Sequence, residues 1–239
     1  MNPGWRVVDC LNFHGSLKYS RGQLVIQRDE SPEVQVPLSQ ITIVLIGTKA
    51  SISGAVLQKF SEYDIALLVC DWRNIPVSGA YPWGGHSRTG ARQQSQSQLS
   101  IPKKKQAWTR IVASKIYGQA SVLKALELPG GPELLKLSRS IRSGDPENVE
   151  AQAARKYWSS ISRDKAFSRI PGAGDPGWNS ALDYGYTLLR GHGIRAIAGA
   201  GLSGTLGVFH RGRGNSWALV DDLMAVSYTH LRAHETRED

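Results

Sequence analysis

The first third of the chain is a succession of short apolar segments, and this pattern constrains the fold more than any other feature. Several segments are rich in valine, isoleucine and leucine, and turn-forming residues separate them. The predicted strands are Trp5–Leu11, Ser16–Tyr19, Gln23–Arg28, Val34–Val36 and Ile41–Ile46. A helix at Ile52–Tyr63 and strands at Ile65–Val69 and Ile75–Tyr81 complete what we expect to be an antiparallel sheet or sandwich.

The composition changes at residue 82. Over residues 82–98, glycine, serine and glutamine replace the aliphatic residues, and we interpret this stretch as a basic linker. It is either a solvated hinge or a loop that contacts a phosphate backbone through Arg88 and Arg92. Helical periodicity then dominates to residue 226. The sequence therefore predicts an α+β fold, with a β-sandwich-like domain at 1–81, the linker at 82–98 and an all-α domain at 99–226.

Basic residues gather where the first long helix of the second half begins. Lys103, Lys104 and Lys105 lie close to its predicted N-terminus, where positive charge opposes the helix dipole. Bound DNA would offset this charge, although a solvated basic face is the alternative. The whole chain has 29 Lys and Arg against 20 Asp and Glu, a net charge of +9, which favours a polyanionic partner: nucleic acid first, an acidic membrane surface second.

Residues 145–158, DPENVEAQAARKYW, predict a helix with a carboxylate on its buried face. Asp145 is a favourable N-cap and Pro146 suits the first helical position. Glu150 falls on the same stripe as the small and aromatic residues that should face the interior. Considered alone, this helix favours an ion pair between Glu150 and an arginine, such as Arg155 or Arg190, over a metal site.

A second polar group lies in residues 206–225, LGVFHRGRGNSWALVDDLMA. His210 follows an apolar run, and Asp221 and Asp222 lie within an apolar helix, where two adjacent acids cannot both be freely solvated. Glu150, His210 and an aspartate from three elements form a ligand set suited to Mg²⁺ or Mn²⁺ in phosphodiester chemistry. From the residues alone this pattern is weak, and acids and histidines without a shared function are the favoured interpretation.

Three segments resemble the core motifs of the Cas1 family, the CRISPR-associated DNA integrases that insert new spacers into CRISPR arrays. They are NVEAQAARKYW, ALDYGYTLLRGHGIRAIAGAGL and LGVFHRGRGNSWALVDDLM. The third segment is similar to the form that accompanies type II systems. The resemblance extends from about Trp5 to Ala225 and includes the strand-rich start, the basic linker and the order of the motifs.

The resemblance implies a function and its residues. Glu150, His210 and Asp222 would bind Mg²⁺ or Mn²⁺ and catalyse attack of a 3′-hydroxyl on a phosphodiester at the edge of a CRISPR repeat. Family members form homodimers through the β domain, are bridged by the Cas2 protein and accompany type II effector machinery, so these are the expected partners. The alternatives are a catalytically inactive DNA-binding scaffold and a metal-dependent nuclease that cuts branched DNA without integration. DNA phosphates would contact the residues Arg88, Arg92, Lys103, Lys104 and Lys105.

The end of the chain departs from the family pattern. The family places an acid three residues after the aspartate that Asp222 matches, and Ala225 stands there. Residues 227–239 resemble a translated sequencing adapter, and we expect the natural sequence to stop near residues 224–226; a genuine mobile tail is the alternative. His230 and His234 in this stretch are not expected to bind a metal.

Location and cysteine chemistry complete the expectations. No apolar run is long enough to span a bilayer, and the N-terminus lacks the order of charge and apolar residues of a signal peptide, so we expect a cytoplasmic protein. Cys10 and Cys70 lie in or beside apolar runs, with neither a CxxC motif nor a histidine at metal spacing. Both are predicted to be buried free thiols.

Overall fold

The computed structural model describes residues 4–28, 31–83, 86–162, 170, 177–210, 212 and 214–227, of which 225–227 are described by their backbone alone. The chain divides into two compact units. The first unit contains residues 1–93 and 171–202, and the second contains 94–170 and 203–239. Strands dominate the start of the first unit and helices make up the second, so the predicted α+β class is confirmed.

Two four-stranded sheets lie in the first unit. The strands are β1 (Arg6–Cys10), β2 (Gly15–Ser20), β3 (Gln23–Arg28), β4 (Val34–Pro37), β5 (Ile41–Ile46), β6 (Ala50–Ile52), β7 (Ala66–Cys70) and β8 (Pro76–Ala80). One sheet has the order β1-β5-β7-β8 and the other β4-β3-β2-β6. The expected antiparallel pairing is wrong in part, because β5 runs parallel to both β1 and β7, and β6 runs parallel to β2.

Strand β5 is the centre of the first unit, and all six of its residues are buried. A continuous apolar run is typical of a strand covered on both faces. Val44 and Ile46 pack in one cluster with Phe60 of helix α1 (Gly54–Glu62). Ile43 points the other way, toward helix α6 (Trp178–Gly199), where a Cβ on Gly191 would lie 3.0 Å from Ile43 Cδ1. Glycine at that position lets the helix approach the sheet closely.

The division of the chain differs from the predicted domain boundaries. Helix α6 belongs to the first unit, although the sequence placed it in the all-α domain. Thr187 Oγ1 donates to the carbonyl of Asn74 at 3.0 Å, and Arg195 pairs with the carboxylate of Asp64 at 2.8 Å. These contacts join residues more than a hundred positions apart, which local periodicity does not reveal.

The predicted linker also contains regular structure, since residues Thr89–Ser97 form helix α2. Arginine, glutamine and alanine all favour helices, and the polar composition of this stretch concealed that preference. The two cysteines agree with the prediction: Cys10 and Cys70 are both free and buried.

Four helices lie wholly within the described part of the second unit, and the last turn of α2 also belongs to it. The four helices are α3 (Ile101–Ala125), α4 (Gly131–Ser140), α5 (Val149–Ile161) and α7 (Ala218–Ser227). The predicted stripe on α3 is confirmed, because Trp108, Val112, Ile116 and Leu123 are all buried. Within the described residues, the apolar length of every helix falls short of a membrane span.

Candidate active site

Helix α5 begins later than predicted, yet Asp145 caps it. Asn148, in the left-handed region at φ 52°, is the N-cap, and its side chain accepts from the N–H of Ala151. Asp145 lies outside the helix, and its two oxygens accept from the N–H groups of Val149 at 2.8 Å and Glu150 at 3.0 Å. The first turn of α5 is therefore satisfied by two side chains, which fix the backbone that carries Glu150.

Glu150 pairs with a lysine on α3. The Nζ of Lys115, a buried residue, lies 2.6 Å from Glu150 Oε1. This corrects the expected partner, since neither Arg155 nor Arg190 is the cation; the local pattern showed an acid in need of a charge but not which helix would supply it. The Glu150 side chain remains 23% exposed, so its carboxylate is accessible from solvent.

Asp222 on α7 is fully buried and accepts four hydrogen bonds. Its Oδ2 accepts from the N–H of Val208 at 2.5 Å and of Phe209 at 3.1 Å. Its Oδ1 accepts from the N–H of His210 at 3.1 Å and lies 2.7 Å from His210 Nδ1. Since a carboxylate can only accept, Nδ1 is the donor, and the imidazole tautomer that results has its lone pair on Nε2.

Two residues outside the predicted set shape the loop around Asp222. A Cβ on Gly207 would come within 2.9 Å of Asp222 Oδ2 and 2.5 Å of the carbonyl oxygen of His210, so only glycine fits there without a shift. Gln96 on α2 is buried, and its Nε2 donates to the carbonyls of Ser203 and Leu206, both at 2.9 Å. The sequence did not reveal the role of Gln96, because this residue lies in a polar stretch. The signal for the loop at residues 206–210 was the glycine in the run LGVFH.

Aromatic rings surround His210. The rings of Trp108 and Phe209 stack with centroids 4.2 Å apart and planes 5° from parallel. The His210 ring meets both edge-on, at 5.9 Å and 5.5 Å. The backbone hydrogen bonds to Asp222 and this packing together hold the imidazole in one orientation, with 46% of its side chain exposed.

The predicted metal ligands fit a divalent cation only in part. Glu150 and His210 offer an accessible carboxylate and an accessible imidazole, donors that suit Mg²⁺ or Mn²⁺. Asp222 does not fit as a ligand in this arrangement, because four N–H groups already occupy its lone pairs. Throughout the described residues, no three His, Cys, Asp or Glu side chains come together as a metal site.

The predicted DNA contacts have different surroundings. Arg88 and Lys103 are exposed and Lys104 is half-buried. Lys105 is exposed, and its stem lies 3.1 Å from the position of a Cβ on Gly144. Arg92 is exposed as well, but its guanidinium donates to the carbonyl of Ala200 at the end of α6 at 2.7 Å. That bond gives Arg92 a structural role in addition to any contact with phosphate.

Some expectations fall beyond what the structure describes. Residues 228–239, including His230 and His234, lie outside the described residues, as do Arg211 and Arg213 beside the candidate histidine. Ala225 is described by its backbone alone, within α7.

Comparisons with known proteins relate this fold to one family. The family model for "CRISPR associated protein Cas1" matches residues 10–227. The CRISPR-associated endonuclease Cas1 of Neisseria meningitidis serogroup C (strain 8013) is 33% identical over 222 residues, covering 92% of this chain and 71% of that protein. A casposase bound to integration product superposes with a TM-score of 0.77 at 18% identity, covering 94% of this chain and 70% of the other.

A further solved structure, the Cas6-RT-Cas1–Cas2 complex, contains a chain that superposes with a TM-score of 0.64 at 17% identity, covering 95% of this chain and 27% of the other. At these identities, the two structures establish the shared fold. The family model and the Neisseria relative go further, because both extend over most of the sequence. On that evidence, this chain belongs to the CRISPR-associated Cas1 family.

Proposed function

We propose that this chain is a metal-dependent DNA endonuclease and integrase of CRISPR adaptation, which joins spacer DNA to the array by attack of a 3′-hydroxyl on a phosphodiester. The observation that carries the proposal is the buried Asp222 carboxylate, which orients the His210 imidazole 2.7 Å away. A relative in the same family is named an endonuclease, and a protein of the same fold is described as bound to an integration product.

The resident cofactor would be Mg²⁺ or Mn²⁺. When bound, such an ion neutralises the charge that develops on the attacked phosphate and aligns the nucleophile with the leaving oxygen. Glu150 would hold it through a carboxylate oxygen and His210 through Nε2. Lys115 keeps the Glu150 side chain extended toward α3 by its 2.6 Å contact.

Asp222 acts in this proposal as a positioning residue. By accepting from Nδ1 it fixes the imidazole tautomer, so that Nε2 can bind the ion or take a proton from the attacking hydroxyl. Its remaining three bonds fix the backbone from Val208 to His210. A carboxylate partner of this kind also raises the basicity of a metal-bound histidine.

The proposed partners follow from the positive charge of the chain and from its similarity to known Cas1 proteins. Double-stranded DNA, as spacer precursor and CRISPR repeat, would contact Arg88, Arg92 and the lysines at 103–105 through its phosphates, without reading sequence. We further propose that the protein forms a homodimer through its strand-rich unit, binds a Cas2 partner and works with type II effector machinery. No interaction with a membrane is proposed. The solved Cas6-RT-Cas1–Cas2 complex supports the Cas2 partner.

A joining assay tests the proposal. The protein, a Cas2 partner, a labelled duplex with free 3′ ends and a supercoiled plasmid carrying a CRISPR repeat are incubated with Mn²⁺ or EDTA. We expect Mn²⁺-dependent joined product that disappears in Glu150→Gln. The matched control is Glu147→Gln, which removes an exposed acid paired with Arg142 in the turn before α5 and should leave the product unchanged. Equal activity in both variants would refute the role of Glu150.

One observation favours the scaffold as a second candidate: alanine stands at position 225, where the family pattern places an acid. A scaffold would bind the duplex yet give neither joined nor cut product in any divalent metal. A nuclease for branched DNA would instead cut without joining. The same gel separates all three outcomes.

A further inference from the structure

Phe209 is an exposed aromatic ring that lies beside His210. The ring is 50% exposed, whereas Trp108 beneath it is 1% exposed. The two rings are nearly parallel at a centroid distance of 4.2 Å, so Trp108 covers one face of Phe209. Much of the exposed surface of Phe209 therefore belongs to its other face.

The ring is also held rigidly. The N–H of Phe209 donates to the buried Asp222 carboxylate, and the edge of His210 packs against the ring at 5.5 Å. A preorganised apolar face loses little conformational freedom when a planar ligand stacks on it. Phe209 therefore offers an aromatic face whose orientation is already set before a ligand arrives.

We propose that Phe209 is a stacking platform for an unpaired or terminal nucleobase of the DNA strand whose phosphate reacts at His210. The inference rests on the proposed function. Bases stack on aromatic side chains regardless of sequence, and a base inside a duplex has both faces covered, so the platform selects a terminal or extrahelical base. The separation of 5.5 Å between the Phe209 and His210 rings can be bridged by one nucleotide, with its base on Phe209 and its phosphate beside the imidazole.

The charge around the platform favours a nucleic-acid ligand over an apolar peptide. Lys104 lies one turn before Trp108 on the same side of α3, whereas Lys103 and Lys105 project about 100° to either side of it. The Lys104 ammonium group can neutralise a phosphate of a strand that runs past the ring. A hydrophobic protein segment would gain nothing from this cation.

Fluorescence of 2-aminopurine tests the platform without catalysis. An oligonucleotide duplex with a short 3′ overhang ending in 2-aminopurine is titrated with protein in EDTA, and quenching reports stacking of the terminal base. We expect Phe209→Leu to reduce the quenching and weaken binding roughly 5- to 150-fold, the range measured for loss of one base stack. Phe209→Tyr should restore both, and a matched thermal melt checks that the leucine variant folds.

The control variant is Tyr117→Leu. Tyr117 is an exposed aromatic, 62% accessible, on the same helix as Trp108 but about two and a half turns further, and so on the opposite face. It should bind and quench like the unaltered protein. A blunt duplex with 2-aminopurine at its centre should show no difference between the Phe209 variants.

Two results would overturn the platform: unchanged quenching and affinity in Phe209→Leu, or an equal loss in Tyr117→Leu. Failure of the platform is distinguishable from failure of the proposed function. If the joining assay gives no product in any metal while quenching still depends on Phe209, the platform stands on an inactive DNA-binding protein. Joining that persists in Phe209→Leu with unchanged quenching removes the platform alone.

Discussion

The buried Asp222 carboxylate has two roles: it stabilises the backbone of residues 208–210, and it fixes the tautomer of His210. The substitution Asp222→Asn separates them. Asparagine has the same shape but replaces one acceptor oxygen with an NH₂ donor. If the amide oxygen faces Val208 and Phe209, the NH₂ group meets the N–H of His210, which then loses its acceptor. In the reverse orientation two backbone donors lose theirs, so the first arrangement costs less.

The expected loss of stability follows from that arrangement of hydrogen bonds. A buried N–H without an acceptor costs about 1–3 kcal/mol, and the three bonds that remain lose the charge of the carboxylate. We expect Asp222→Asn to lower the free energy of unfolding by about 2–4 kcal/mol. The NH₂ group also forces Nδ1 of His210 to accept, which moves the ring proton to Nε2 and removes the lone pair that the proposed chemistry needs. Joining should fall on the order of 10³-fold or more, by analogy with a wrong-tautomer triad histidine.

Urea unfolding, followed by tryptophan fluorescence, measures the change in the free energy of unfolding, with the m-value held common to all variants. Nitrogen-15 NMR of the imidazole shows which ring nitrogen of His210 carries the proton. Asp221→Asn is the control, because Asp221 is a half-buried neighbour whose carboxylate accepts from Asn215 Nδ2, a bond that an amide oxygen can retain. The positioning role of Asp222 is refuted if the free energies of unfolding of Asp222→Asn and Asp221→Asn agree within about 0.5 kcal/mol and the His210 proton stays on Nδ1.

Two further predictions concern charge and protonation. Replacing Lys103, Lys104 and Lys105 with alanine should reduce the slope of log K against log salt for binding of duplex DNA by about 2.7. Arginine at all three positions is the control and should preserve the slope. An unchanged slope in the alanine variant would exclude these lysines as phosphate contacts. Burial raises the pKa of Cys10 to about 11 and that of Cys70 to about 12, so both thiols stay protonated at pH 8 and should react with a disulfide reagent only after unfolding. Because the unfolded thiols ionise near pH 8.5, both groups stabilise the fold below that pH, and the effect is lost as the pH rises toward 11 for Cys10 and toward 12 for Cys70. Rapid labelling of the native protein at pH 8 would contradict their burial.

The sequence specified the local features of the fold well. Strands β3 and β5 begin and end where the apolar pattern placed them, because each is bounded by residues that favour turns. The apolar stripe of α3 was equally visible, since helical spacing depends only on neighbours along the chain. The placement of Glu150 on a helix was correct for the same reason, although Asp145 caps that helix through its side chain instead of starting it.

The parts that sequence reasoning missed depend on contacts between distant segments. Lys115 and Glu150 are 35 positions apart, and nothing in either helix alone selects the partner. Gln96 looked like part of a polar linker, yet its amide reaches the loop 107 positions away. Asp222 matched a motif for metal binding, but its burial against three backbone N–H groups is a property of the folded loop. Motif spacing identifies which residues matter before it identifies what each one does.

Helix α3 connects the two halves of the candidate site. Trp108 supports Phe209 and His210, and Lys115, seven residues later on the same side of the helix, holds Glu150. At 1.5 Å per residue, these two supports lie about 10 Å apart along the axis. An ion shared by Glu150 and His210 would therefore compete with the Lys115 ammonium for the glutamate, because both cations need the same carboxylate. The lysine satisfies that acid when no ion is bound, so the second unit can fold around Glu150 without first acquiring a metal.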